Sequence, residues 1–328
     1  MDYAPAISSI LSPKYLAGLV KQRYNLDATT TCSILKTGIN HTYLITEPNT
    51  KYVLRVYFLD WRTQNEIEEE LQLLDFLKAN GISVSFPIKD KNNQYIQSIP
   101  AFEGKRYAVL FSYAKGETVR NPSKEVCFTL GETMAKFHQL TLDKHINRID
   151  YTAKTLVNDA FNSANTFFKK NTEEMAYYQQ ANTIITSKFE NADTSKLRKG
   201  IVHLDFWYEN LKVKETSEIT VFDFDNCGNG WLFLDLSYTL MILFRNEANK
   251  DNFKEKQASF YQGYTTIAHV SDEEKKLIPY GGLAIWLHYN SIHINRFNDF
   301  SNPFLSEDFL KYWIHTVKQW MEFNGIKI

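Results

Sequence analysis

The period of the hydrophobic and polar positions changes about a third of the way along the chain. A leading helix is predicted over residues 14–24. Ser12-Pro13 opens it with a side-chain cap and then a proline, whose missing N–H costs nothing there. Short runs rich in β-branched and aromatic residues follow at 31–35, 42–46 and 52–58, and these predict strands. A second helix over 64–80 carries an apolar stripe of Leu71, Leu74 and Leu77 and ends at Asn80-Gly81, residues that accept a left-handed cap. Two further strands, 94–99 and 106–111, precede a break at Ser112 to Gly116. From there the period lengthens. Asn121-Pro122 opens a helix running through His138, and residues 150–198, 235–245, 252–265, 271–296 and 306–324 also read as helical. Gly131 inside a helix costs roughly 1 kcal/mol against alanine, so it predicts a neighbour packed close against it. The pattern predicts an α+β chain. Residues 1–113 form a β-rich first lobe, a hinge lies at about 111–116, and residues 117–328 form a mainly helical second lobe.

Composition narrows the class. At 328 residues the chain has room for two core-bearing lobes, and its 44% hydrophobic and 23% charged content is that of an ordinary folded protein. A net charge of -1 lacks the footprint of a nucleic-acid binder. Cys32, Cys127 and Cys227 are far apart and odd in number, and they form no metal-binding spacing. Reduced thiols in a cytoplasmic protein are expected. Neither a basic leader with an apolar core nor a run of 18 apolar residues is present, so neither a signal peptide nor a membrane span is predicted.

The candidate chemistry gathers in two short stretches. Ile201-Val202 delivers His203 and Asp205, and Asn210 follows five residues after that aspartate. An apolar run, Thr220-Val221-Phe222, then ends in Asp223-Phe224-Asp225. Phosphoryl transfer needs a carboxylate beside the incoming hydroxyl, with an amide and a second carboxylate to hold Mg²⁺ against nucleotide phosphates. Protein kinases space an Asp, an Asn five residues on, and a later metal-binding Asp in this way. Arg55, set among apolar neighbours, needs an anionic partner, and the following helix offers Glu66, Glu68, Glu69 and Glu70. The turn from Lys36 to His41 contains Gly38 and Asn40, which tolerate unusual backbone angles and let N–H groups approach a phosphate.

Four stretches carry a family likeness, in order, from about Leu35 to Arg245. They are Leu35 to Leu44, Leu130 to His138, His203 to Asn210, and Asp223 and Asp225 with Gly230 and Asp235-Leu236. They resemble the aminoglycoside phosphotransferase/choline kinase family, the small-molecule relatives of protein kinases. The distal helices also look like its stress-response and homoserine-kinase branch, through Phe260 to Tyr264. The resemblance implies a bilobal protein-kinase-like fold. It makes Asp205 the base that takes or orients the acceptor proton and Asn210 and Asp223 the holders of Mg²⁺, while Asp225 either reaches the ion through water or braces the loop. Gly38, Asn40, His41 and Arg55 would contact nucleotide, Glu70 would steady Arg55, and backbone groups around Phe111 to Tyr113 would meet the adenine. His203 and Asp235 would support the loop. Two departures stand out. Leu204 replaces the family's usual glycine, and Arg55 stands where many relatives carry lysine.

The expected activity is ATP- and Mg²⁺-dependent transfer of phosphate to a hydroxyl of a small molecule, such as an aminoglycoside, choline, homoserine-like or sugar acceptor. A protein Ser/Thr kinase and a nucleotide-binding pseudokinase scaffold are the alternatives. Trp231, Trp286, Tyr289, Trp313 and Trp320 read as core sooner than as an aromatic box for a quaternary ammonium. Arg245 and Arg296 suit either an anionic ligand or a neighbouring acid.

Overall fold

The computed structural model describes residue 4 and residues 6–215, 218–296 and 303–328. The chain divides into two compact units, Met1–Lys115 with Thr220–Phe222, and Gly116–Ile219 with Asp223–Ile328.

In the first unit, helix α1 (Pro13–Tyr24) precedes strands β1 (Thr31–Thr37), β2 (His41–Thr46) and β3 (Lys51–Val56). Helix α2 (Gln64–Ala79) follows, then β4 (Ile96–Ala101) and β5 (Gly104–Ser112). The strands form an antiparallel sheet in the order β1-β2-β3-β5-β4. Alternation along β2 sends His41, Tyr43 and Ile45 inward. There the last two join Leu54, Val56 and Leu110 beneath Leu16, Leu19 and Val20 of α1. Thr63 and Glu66 close a reciprocal capping box at the start of α2, and Gly81 takes the left-handed conformation just past its end (φ +82°). Ser12 does sit at the N-cap of α1, but its side chain makes no capping hydrogen bond. Gly38 and Asn40 differ from expectation too. Neither has a positive φ, and Asn40 shapes its turn through its side chain.

The second unit is mainly helical. Helix α3 (Lys124–Thr141) starts two residues later than Asn121-Pro122 predicts, because Ser123 caps it by accepting from the Val126 N–H. A π-helical turn, Lys154–Asn158, runs into α4 (Asp159–Phe167), and α5 (Glu173–Glu190) follows. Short strands β6 (Lys199–Val202) and β9 (Gly228–Trp231) pair with each other, β7 (Leu211–Lys214) lies between them in the chain, and β8 (Glu218–Val221) runs out of this unit into the segment grouped with the first. Helices α6 (Phe233–Asn246), α7 (Lys250–Thr265), α8 (Asp272–Arg296) and α9 (Glu307–Phe323) complete the unit. Every residue of α6 from Phe233 to Phe244 is buried, as a helix apolar on all sides requires. The glycine inside α3 has the predicted cause. A Cβ at Gly131 would lie 2.1 Å from the Phe260 carbonyl oxygen of α7, and one at Gly263 would lie 2.0 Å from that of Phe128. No described helix is long and apolar enough to cross a membrane.

Candidate active site

In the second unit the chemistry-bearing loop leaves β6 through a strained corner. Leu204 adopts φ +64°, a left-handed conformation costing a non-glycine residue roughly 1–2 kcal/mol, and its side chain is fully buried. Asp235, the third residue of α6, holds that corner. Its carboxylate accepts the Leu204 N–H at 2.6 Å and the His203 N–H at 2.9 Å. The carboxylate also meets His138 Nε2 at 3.0 Å. The other face of His138 meets the Tyr264 hydroxyl at 2.8 Å. Arg198 donates to that hydroxyl and forks onto Glu274. Burial holds the His138 imidazole below its ordinary pKa, against the opposing pull of Asp235.

The corner aims the next residue. The Asp205 N–H donates to His203 Nδ1 at 3.2 Å. The amide nitrogen of the buried Asn210 donates twice to Asp205, at 3.1 Å to its carbonyl and 2.7 Å to its carboxylate, which leaves the amide oxygen uncommitted. Asp223 also lies in the left-handed region (φ +64°), which an aspartate tolerates better than most residues. It ends the run from β8 and opens a 3-10 turn, Phe224–Asn226. The two loops brace each other, because the Phe224 ring lies 4.4 Å from that of His203. Asp225 is buried, and its carbonyl accepts from Arg148. Tyr289 of α8 joins both loops. Its hydroxyl accepts from the Asn226 amide at 3.1 Å and lies near enough to the Asp205 carboxylate to feel its charge. Burial first, then the Asp205 charge, push this phenol well above its ordinary pKa. Among the described residues, no three His, Cys, Asp or Glu side chains gather as a metal cage. The oxygen donors at hand are the Asn210 amide and the Asp223 and Asp225 carboxylates. Such a hard set suits Mg²⁺, which takes few protein ligands when phosphates supply the rest.

In the first unit, Arg55 Nη1 lies 2.7 Å from Glu70 Oε1, with both side chains buried. Glu66 is committed instead to the cap of α2. The Tyr57 hydroxyl donates to the second oxygen of Glu70 at 3.2 Å. The Arg55 guanidinium also lies 4.9 Å from the centre of the Phe111 ring, so β3, α2 and β5 meet at this cation. At the β1–β2 turn, the Gly38 N–H donates to the Asn40 carbonyl, and the Asn40 side chain accepts the Phe58 N–H at 3.1 Å. His41, the first residue of β2, is buried. Lys51 lies over the Tyr113 ring. The backbone N–H and C=O of Ser112 are both taken, by Phe86 and by the Ser85 hydroxyl.

The aromatic candidates do not form one box. Trp231 stacks on Phe233, Trp320 is buried against Phe244 and donates to the Pro279 carbonyl, and Trp286 pairs with Trp313. Tyr289 faces the two loops, with its hydroxyl on the Asn226 amide. Sequence reasoning missed Tyr264, Arg198 and Asn226 as partners of these loops. No local signal marks them, because each acts across more than 60 residues of chain.

The sequence profile of the phosphotransferase enzyme family matches residues 31–273. An uncharacterized protein of Synechocystis is 30% identical over 81% of this chain and 74% of its own length. The homoserine kinase of Methylobacillus glycogenes is 24% identical over 79% of each chain. Among solved structures, an amicoumacin kinase in complex with AMP-PNP, Ca²⁺ and Ami superposes with a TM-score of 0.77. It is 18% identical and covers 95% of this chain and 94% of that one. A match running from β1 into α8, through both loops that carry Asp205 and Asp223, makes this chain a member of the phosphotransferase enzyme family, a kinase with an alcohol group as acceptor.

Proposed function

We propose that this kinase transfers the terminal phosphoryl group of ATP, bound with Mg²⁺, to a hydroxyl of a small molecule. The observation that carries the reading is the double anchoring of Asp205 by the Asn210 amide. On this reading the amide holds the carboxylate for a base's work and keeps its own oxygen for a cation. Asp205 takes or orients the proton of the acceptor hydroxyl. Asn210, Asp223 and Asp225 hold the metal ion, which when bound neutralises charge on the transferring group. In the first unit, Arg55 is steadied by Glu70 and contacts nucleotide phosphates, as does the turn of Gly38, Asn40 and His41. Backbone groups at Phe111 and Tyr113 take the base. His203 and Asp235 keep the loop in shape. The names of the relatives, homoserine kinase and amicoumacin kinase, favour a small acceptor over a protein substrate.

The test is turnover of Mg·ATP with a panel of amino alcohols, hydroxy amino acids, sugars and aminoglycosides. Asp205→Asn is expected to lower kcat roughly 10²–10⁴-fold while nucleotide still binds, and EDTA to abolish turnover. Wild-type rates in Asp205→Asn would remove the base assignment. ATP binding without turnover of any acceptor would favour a nucleotide-binding scaffold.

A further inference from the structure

Arg245 stands in the last turn of α6, two turns beyond Tyr238 and therefore on the same helix face. Its guanidinium carbon lies 5.1 Å from the centre of the Trp313 ring, which itself packs 4.7 Å from that of Trp286. Both indoles are buried and Arg245 is half-buried. Three other arginines withdrawn from solvent have acidic partners: Arg55 has Glu70, Arg106 has Glu103 and Arg198 has Glu274. Among the described residues Arg245 has no hydrogen bond and no ion pair, only the ring beneath it. A cation taken partly out of water without an anion is costly. The indole offsets some of that cost on one face of the guanidinium and leaves its edge, with a fork of donors suited to a carboxylate.

That edge belongs to the same neighbourhood as Asp205. The Tyr238 ring packs 5.5 Å from that of Tyr289, whose hydroxyl holds the Asn226 amide, and the Tyr238 phenol feels the charges of both Asp205 and Arg245. The Thr239 hydroxyl, next along α6, ties the helix to the Phe206 carbonyl at 2.6 Å, one residue after Asp205. We propose that Arg245 is an acceptor-binding residue that takes the carboxylate of a hydroxy acid whose hydroxyl lies at Asp205. The inference rests on the phosphotransferase reading and narrows its substrate class from alcohols in general to hydroxy acids.

Three matched pairs of acceptors test it, each a hydroxy amino acid and the same molecule without its carboxylate. They are homoserine and 3-amino-1-propanol, serine and ethanolamine, and threonine and 1-amino-2-propanol. The wild-type protein is expected to prefer the acid of at least one pair in kcat/KM. Arg245→Gln should shrink that preference on the order of 10- to 100-fold, mainly through the acceptor KM. Arg245→Lys, which keeps the charge without the fork, should recover part of it. Calorimetric titration of the same three acids reads the contact without turnover. The inference is overturned by a wild-type preference for the amino alcohols, by unchanged discrimination in Arg245→Gln, or by an effect on the ATP KM in place of the acceptor KM. Each of those results leaves the phosphotransferase reading standing. Failure to phosphorylate any alcohol at all counts against that reading instead, and the titrations then decide: no binding of the three acids overturns the inference as well.

Discussion

Leu204 is a fully buried leucine held in a backbone conformation that favours glycine. A leucine where the family's usual residue is glycine suggests a shifted loop or a plugged pocket. The backbone instead keeps the left-handed corner, and the side chain turns inward to full burial. Two hydrogen bonds to the Asp235 carboxylate hold that corner from the far side. Leu204→Gly should relieve roughly 1–2 kcal/mol of backbone strain but give up a buried leucine, which typically contributes about 2–5 kcal/mol. The net expectation is a loss of about 1–3 kcal/mol, read as a lower thermal midpoint. A raised midpoint would mean that the leucine contributes less than its strain. Arg55 and Glu70 follow a related logic. Each is buried and tolerable only because the other is there, so a cation among apolar neighbours points to the acidic helix that follows it.

Among elements, the crossing of α3 and α7 is the most tightly specified contact. Gly131 and Gly263 face the Phe260 and Phe128 carbonyl oxygens of the opposite helix, at distances no methyl group fits. Gly131→Ala would improve helix propensity by roughly 1 kcal/mol, yet it must force the helices apart at a fully packed crossing. Overpacking of this kind costs about 1–3 kcal/mol or more. A lower denaturation midpoint is expected, with the shift larger than for alanine at Gly18, where nothing lies within 4 Å. Equal effects at the two positions would mean that the crossing is loose. The periodic helices and strands were legible from the chain pattern to within a few residues. Their caps were less so: Ser123 replaces Asn121-Pro122 at α3, and Ser12 leaves its capping bond unmade. Several side chains can reach the same free N–H groups, and packing chooses among them.

Over the whole molecule, buried imidazoles set a pH dependence. Burial holds His138 below its ordinary 6.5, and burial together with the Arg296 charge lowers His293 to about 4. The unfolded chain therefore takes up these protons before the folded one does. The stability tied to a neutral imidazole is fully present above pH 6.5 and falls as the pH drops from there toward the lower folded values. For His138 the slope reaches at most about 1.4 kcal/mol per pH unit. Chemical denaturation between pH 7.5 and 5 should show the loss beginning near 6.5, above the range in which carboxylates titrate. A flat profile down to pH 5 would show that neither histidine is held neutral.

The chain pattern alone sets out the strands of the first unit and the long helices, the spacing of Asp205, Asn210 and Asp223, and the need of Arg55 for an anionic partner. All three are written in nearest neighbours and short periods. The family likeness already named Glu70 for Arg55 and Asp235 for the loop, whereas packing alone decided that His138 links Asp235 to Tyr264 and that Tyr289 holds Asn226. It also decided that Arg245 lies on an indole without an acid beside it. Such pairings join side chains from distant segments. Their energies depend on burial and on hydrogen bonds that exist only once the helices have packed.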